Sequence, residues 1–305
     1  MADPMRFLFL IFTLIAAPLR AEPLRVVTTI TPLYGIVSDL MRGIAEPVLI
    51  VTKGSDPHHF SLRPSQISTL LEADVIFAMG AGMEPWLDQI DLRPDTKVIY
   101  LANDFATETP LLPHILGLSV RNLDRVSAES QPATAGSIDP HVWLDEFNAN
   151  LLIVGAIYAL SPDRIDRSLE QQIMQNYTDI AINLHKANQR LIEIAQALGD
   201  TPIVTTHDSL QYLEHSIGIN IVGALTSITG EQAGARSMGL LSRIEGPVCL
   251  LIDTSETSPD YAALFPDWTH VRYDPMGYEF AGQPDYLSNL YLSIAAALEA
   301  CIPVT

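Results

Sequence analysis

The chain has 305 residues, 48% hydrophobic and 17% charged, with 17 Lys and Arg against 36 Asp and Glu and a formal net charge of -19. That composition is globular and long enough for two packed cores of roughly 130 residues each. The acidic balance argues against a nucleic-acid partner and against docking on an anionic membrane surface.

The N-terminus, MADPMRFLFLIFTLIAAPLRAEPLRVV, has the form of a secretory signal: Arg6, then an apolar run from Phe7 to Ala17 broken only by Thr13. Such a run is too short to span a bilayer. We place the signal peptide at residues 1–21, cut after Ala21 although Leu19 is bulky, with Met5 as an alternative start. No Cys follows the run, which argues against a lipid anchor, and no other segment reaches ~18 uninterrupted apolar residues. The simplest compartment is the periplasm.

Strands and helices then alternate. RVVTTI (25–30) is a β-branched run, Thr31-Pro32 opens a helix and Gly43 closes it. PVLIV (47–51), a helix from Pro64, DVIFAMG (74–80) and KVIYLA (97–102) follow. Residues 103–138 are rich in Pro, Ser, Thr and Asn and read as a long surface loop. In 162–198, Ile173, Tyr177, Ile180, Leu184, Leu191, Ile194 and Leu198 recur at helical spacing, and Gly199 and Pro202 end the pattern. One helix over 168–198 would be ~46 Å long. PIVTT (202–206), INIVGA (219–224), VCLLID (248–253) and HVRYD (270–274) repeat the strand theme, and a helix over 284–300 finishes. The pattern predicts an α/β protein. Two parallel-sheet lobes, residues 22–161 and 200–305, are bridged by one long rigid helix, residues 162–199.

The two cysteines, Cys249 and Cys301, suit one disulfide in an oxidising compartment. Two buried free thiols are the alternative.

Two Asp-Pro-His turns stand out, in GSDPHHFSLRPS (54–65) and SIDPHVWLD (137–145). His58 follows the second strand, His207 ends PIVTTH and Asp274 ends HVRYD, and ligands in open α/β sheets bind beyond the carboxyl ends of strands. With His141 they make three imidazoles and one carboxylate, a set that suits tetrahedral zinc. Spacing alone does not establish a metal site, because a His after Pro can cap a turn and a buried His can simply hydrogen-bond.

These segments, together with VVTTITPLYGIVSDL, the helix that follows FSLRPS, VTTHDSLQYL and RYDPMG, in this order, resemble the zinc-uptake ABC-transporter substrate-binding proteins (ZnuA/TroA-like, cluster A-I) over residues 25–304. The resemblance implies two α/β lobes joined by a rigid helix with the metal between them. It implies His58, His141, His207 and Asp274 as ligands. A third imidazole at 207, where manganese-binding relatives usually have Glu, favours zinc. His59 is a neighbour of His58 or its substitute as ligand. The loop before the second ligand holds only His114, so auxiliary zinc capture there is in doubt. His185, His215 and His270 read as structural. Ser61, Arg63, Trp143 and Asp145 cluster near the ligands, and Asp145 is a candidate to fix the tautomer of a ligand His.

The implied function is a periplasmic high-affinity zinc receptor that hands Zn2+ to an inner-membrane ABC permease. It would be a monomer with no catalytic role and no nucleic-acid partner. A periplasmic zinc metallochaperone is a further partner open to it. Two readings compete: a manganese or metal-chelate binder of the same fold, and a zinc-dependent hydrolase. The hydrolase reading lacks a His-Glu-x-x-His base.

Overall fold

The computed structural model describes residues 24–55, 57–80, 82–102, 139–160, 167–227, 232–255 and 261–303. The expected signal peptide, the loop 103–138 with His114, and the first residues of the expected linking helix lie outside these.

Two four-stranded, all-parallel sheets organise the molecule. The first contains β1 (Val26–Thr28), β2 (Val48–Leu49), β3 (Val75–Ala78) and β4 (Lys97–Tyr100) in the order β2-β1-β3-β4. The second contains β5 (Ile203–His207), β6 (Ile221–Thr226), β7 (Cys249–Asp253) and β8 (Thr269–Tyr273) in the order β6-β5-β7-β8. Every residue of β1, β3 and β5 is buried, which is why these strands read as continuous apolar or β-branched runs. In each sheet the chain leaves a central strand for one edge and then crosses to its other side. The crevice at that reversal, between β1 and β3 and between β5 and β7, is where such sheets bind ligands. The expected strand 47–51 is shorter as a regular element, yet Ile50 and Val51 still donate their N–H groups to the carbonyls of Thr28 (3.0 Å) and Thr29 (2.9 Å).

The helices are α1 (Thr31–Leu40), α2 (Pro64–Glu72), α3 (Glu146–Leu160), α4 (Arg167–Leu198), α5 (Gln211–Ile217), α6 (Ala235–Leu241) and α7 (Tyr286–Glu299). The strut is α4, one helix of 32 residues, about 48 Å long at 1.5 Å per residue. Its stripe of Ile173, Ile180, Leu184, Leu191, Ile194 and Leu198 is buried, and it packs along α7 and against α1 and α3. No helix among the described residues is long and apolar enough to cross a membrane.

Polar ties join the two halves. Asn176 on α4 donates to the carbonyls of Leu40 (2.8 Å) and Arg42 (3.0 Å), satisfying the end of α1. Asp39 on α1 accepts the N–H groups of Asp285 (3.1 Å) and Tyr286 (2.8 Å) at the start of α7. Gly35 lets α1 and α7 meet closely, since a Cβ there would lie 2.1 Å from the Tyr286 ring. One buried core runs from Val27 and Phe77 through Leu184 and Leu191 to Leu290 and Cys249. Cys249, opening β7, is bonded to Cys301 just past α7, across 52 residues with 5.5 Å between Cα atoms, so the free-thiol alternative does not hold.

Candidate metal centre

His207 closes β5 and is buried at the carboxyl edge of the second sheet. His141, also buried, precedes a single 3₁₀ turn, Val142–Leu144. His58 lies in the loop between β2 and α2, half-buried. That loop is pinned where Trp86 Nε1 donates to the Pro57 carbonyl (3.0 Å) and Phe60 meets the Trp86 ring edge-on. All three imidazoles border one cavity, which Met83, Asp253, Met276 and Tyr278 also line. His59 is exposed and is not part of that lining.

His141 Nε2 and His207 Nε2 stand 3.4 Å apart. Two nitrogens bound to one tetrahedral zinc at 2.0–2.1 Å are about 3.3–3.4 Å from each other. The partners of the other ring nitrogens fix which nitrogen carries the proton. His141 Nδ1 lies 2.8 Å from Asp139 Oδ1, both buried; the carboxylate only accepts, so the proton sits on Nδ1. His207 Nδ1 faces Thr226 Oγ1 at 3.4 Å, and that hydroxyl donates its own proton to the Thr206 carbonyl (2.9 Å). The proton of His207 therefore also lies on Nδ1. Two Nε2 lone pairs then face each other across the cavity, a repulsion that a cation removes. Burial, followed by the neighbouring His141 and His58, holds His207 well below the usual imidazole range. It is a neutral donor at ordinary pH.

The ring centroids of His58 and His141 are 6.4 Å apart, against 5.3 Å for His141 and His207. Among the described residues no three donors already stand close enough together to grip an ion. His141 and His207 stand close together, and His58 lies farther off on the same cavity.

Asp274 is placed differently. Its Oδ1 accepts the Met276 N–H (2.9 Å) and its Oδ2 the Tyr278 N–H (2.8 Å). It does not border the histidine cavity but a neighbouring cleft, with Lys53, Thr254, Arg272 and Glu279. Burial raises its pKa against these turn donors. The structure thus brings three of the four expected ligands into one cavity and leaves Asp274 outside its lining. Asp145 Oδ1 accepts the Asn148 N–H (2.8 Å) and caps α3. The carboxylate bonded to an imidazole of the cavity is Asp139, within the Asp-Pro-His turn.

The remaining residues are structural. Trp143 Nε1 donates to the Pro275 carbonyl (2.9 Å), Tyr212 to Asp139 (2.8 Å) and Tyr291 to Trp143 (3.0 Å). These buried aromatics hold the walls. Arg63 donates its backbone N–H to Gln66 Oε1 at the start of α2. His185 pairs with Glu146 (2.9 Å) and His270 with the Phe265 carbonyl (2.8 Å).

Residues 26–294 match the family model described as zinc-uptake complex component A, periplasmic (ZnuA). A high-affinity zinc uptake system protein of Brucella abortus is 28% identical over 309 residues, covering 91% of each chain. One from Paracoccus denitrificans is 25% identical over 322 residues, covering 94% of each. Among solved structures, a ZnuA crystal structure superposes with a TM-score of 0.70 at 19% identity, over 91% of this chain and all of that one. The periplasmic zinc-binding protein TroA of Treponema pallidum gives 0.68 at 19% identity, over 90% of this chain and 99% of that one. The manganese-bound FpvC of Pseudomonas aeruginosa gives 0.69 at 16% identity, over 91% of this chain and 99% of that one. At these identities the structures speak for the fold alone, but the family model spans most of the sequence, and the chain belongs to the zinc-uptake complex component A family.

Proposed function

We propose that this protein is a periplasmic receptor that captures one Zn2+ between its lobes and delivers it to an ABC-type permease of the inner membrane. The reading is carried by one observation: two imidazoles, each with its proton fixed on Nδ1, face each other with Nε2 atoms 3.4 Å apart. His58 on the same cavity is the third ligand and a carboxylate the fourth. Three neutral nitrogens favour zinc over manganese, which prefers more oxygen. A zinc metallochaperone fits as an upstream donor of the ion, and the chain acts as a monomer.

The metal is cargo, and four protein donors leave no open position for substrate. The proteins whose sequences it matches are uptake and metal-binding components, which disfavours the hydrolase reading. The test is metal content after equilibration with zinc. One zinc per chain is expected, lost when His58, His141 and His207 are all replaced by Ala. Near-unit stoichiometry in that triple variant, or hydrolysis of an activated ester by the zinc-loaded protein, would sink the proposal.

A further inference from the structure

Two glycines meet opposite ends of one buried ring. Tyr286, the first residue of α7, is fully buried. At Gly35 on α1 a Cβ would lie 2.1 Å from its ring Cγ, and at Gly277 a Cβ would lie 2.9 Å from its hydroxyl oxygen. Gly277 also has a φ of +56°, in the left-handed region that glycine enters without steric cost. The two glycines stand in TPLYGIVSDL and RYDPMG, segments that belong to different sheets. α1 follows β1, and Gly277 lies just past β8.

The hydrogen bonds repeat this arrangement. Gly35 and Asp39 are four residues apart, so α1 shows both to the same side. Asp39 Oδ2 accepts the Tyr286 N–H at 2.8 Å. At the other end of the residue, the hydroxyl donates to the Met276 carbonyl. Burial, followed by Asp274 and Tyr278, holds that hydroxyl well above the usual phenol range, so it stays a donor at ordinary pH. Met276 and Tyr278 line the histidine cavity, and their N–H groups bond to the Asp274 carboxylate. The preceding carbonyl, that of Pro275, is held by Trp143 Nε1 at 2.9 Å. The wall is thus fixed at two consecutive carbonyls, and the second link continues through Tyr286 to α1. Without the hydroxyl, the Met276 carbonyl loses its donor and the turn its tie.

Building on the zinc-receptor reading, we infer that Tyr286 is a positioning residue: it fixes the 275–278 wall of the metal cavity against α1, so that zinc affinity depends on a helix that does not line the cavity. The ligands themselves are unchanged by this assignment.

The test uses the full mature chain, with zinc affinity read by chelator competition well below the melting temperature. Tyr286→Phe keeps the ring and removes one donor. Zinc binding should weaken about threefold to tenfold, the scale of one hydrogen bond. Thr96→Val is the control. It removes a hydroxyl bond to the Ala73 carbonyl (2.9 Å) at the amino edge of the first sheet, and should cost stability without changing zinc affinity. Asp39→Ala should also weaken zinc binding, yet add little in the Tyr286→Phe background, because both act on one link. Asp39→Asn serves the same cycle should the Ala variant fold poorly. Wild-type affinity in Tyr286→Phe, or effects of the two substitutions on zinc affinity that simply add, overturns the inference. An equal loss of affinity in Thr96→Val does so as well, since it would mark a general effect of stability. If the triple histidine variant loses zinc while Tyr286→Phe binds as wild type, this inference fails alone. If the triple variant keeps zinc, the receptor reading fails with it.

Discussion

Asp139 holds His141 twice with one oxygen: Oδ1 accepts the backbone N–H at 2.9 Å and the ring Nδ1 at 2.8 Å. Both residues are buried. The two bonds set the backbone turn and the ring together, so Nε2 arrives at the cavity with its lone pair exposed.

Replacing Asp139 by Ala should therefore weaken zinc binding about 10–100-fold, the usual effect of removing a partner of a ligand imidazole. The fold, read by far-UV circular dichroism, should be retained. Asp139→Asn should fall between, because its amide oxygen can still accept while the charge is gone. Chelator competition measures this, and wild-type affinity in Asp139→Ala would show that the carboxylate does not orient the ring.

His207 bears on pH and selectivity. From sequence, three imidazoles would each have to lose a proton below pH ~6.5 before metal enters. Burial and its imidazole neighbours keep His207 neutral well below the usual range, so this imidazole has no proton to release near neutral pH. The fall of log affinity with acidity between pH 5.5 and 6.5 should therefore be shallower than the roughly three per pH unit that three unperturbed imidazoles would give. His207→Glu should shift preference toward manganese by exchanging nitrogen for oxygen. Competitive titrations of both metals check it, and an unchanged preference would remove His207 from the ligand set.

Much of this was legible in the sequence, for identifiable reasons. Buried parallel strands read as apolar runs, and α4 announced itself because one face must stay apolar over 32 residues. His58, His141 and His207 were visible because each follows a strand or an Asp-Pro turn. Which strand-end carboxylate borders their cavity was not. Asp253 and Asp274 both close an apolar strand, and which one stands beside β5 depends on the order β6-β5-β7-β8, which no local pattern encodes. Asp145, four residues past His141, was the expected partner, whereas Asp139, two residues before it, makes the bond; from sequence alone neither carboxylate shows which way it turns.

The disulfide fastens the start of β7 to the end of α7, elements that carry Asp253 at one end and pack on α4 at the other. Closing a loop of 52 residues contributes roughly 4 kcal/mol at most in the chain-entropy model. Reduction should lower the melting temperature of metal-free protein by several degrees without abolishing zinc binding. Differential scanning calorimetry with and without reductant tests this, and an unchanged transition would show that the bond adds nothing.

Lobe motion should be small. Asp39 and Asn176 tie α1 to α7 and α4, and the core is continuous across both halves. Zinc should leave the radius of gyration in solution scattering nearly unchanged while protecting the 54–60 loop from hydrogen exchange. Asp39→Ala should cost about 1–3 kcal/mol by leaving two buried N–H groups at the start of α7 without their acceptor. A marked contraction of the wild-type protein on zinc binding would contradict the strut.

Glu84 sets a pH dependence of its own at the first sheet. It is buried, accepts the Thr29 hydroxyl and the Met79 N–H (2.9 Å) on Oε1, and accepts the Gly80 N–H (2.9 Å) on Oε2. These donors follow the ends of β1 and β3, and Glu84 itself is one residue from the cavity-lining Met83. Burial outweighs the three donors and raises the carboxyl from 4.5 to about 7. Since the folded value is the higher one, the folded state holds the proton more tightly. The resulting stability is complete below pH ~4.5 and is lost as pH rises through about 7, on the order of 3 kcal/mol in all. Metal-free protein should thus lose stability from this group between pH 5 and 8. Glu84→Gln cannot titrate, and its amide NH2 would face a backbone donor, so it should be less stable than wild type at pH 5 by about 1–3 kcal/mol. The difference between the two proteins should shrink as pH rises toward 8. Urea unfolding with chelator present, at each pH unit from 5 to 8, reads this difference directly. A gap that stays constant across the series would show that Glu84 is ionised throughout.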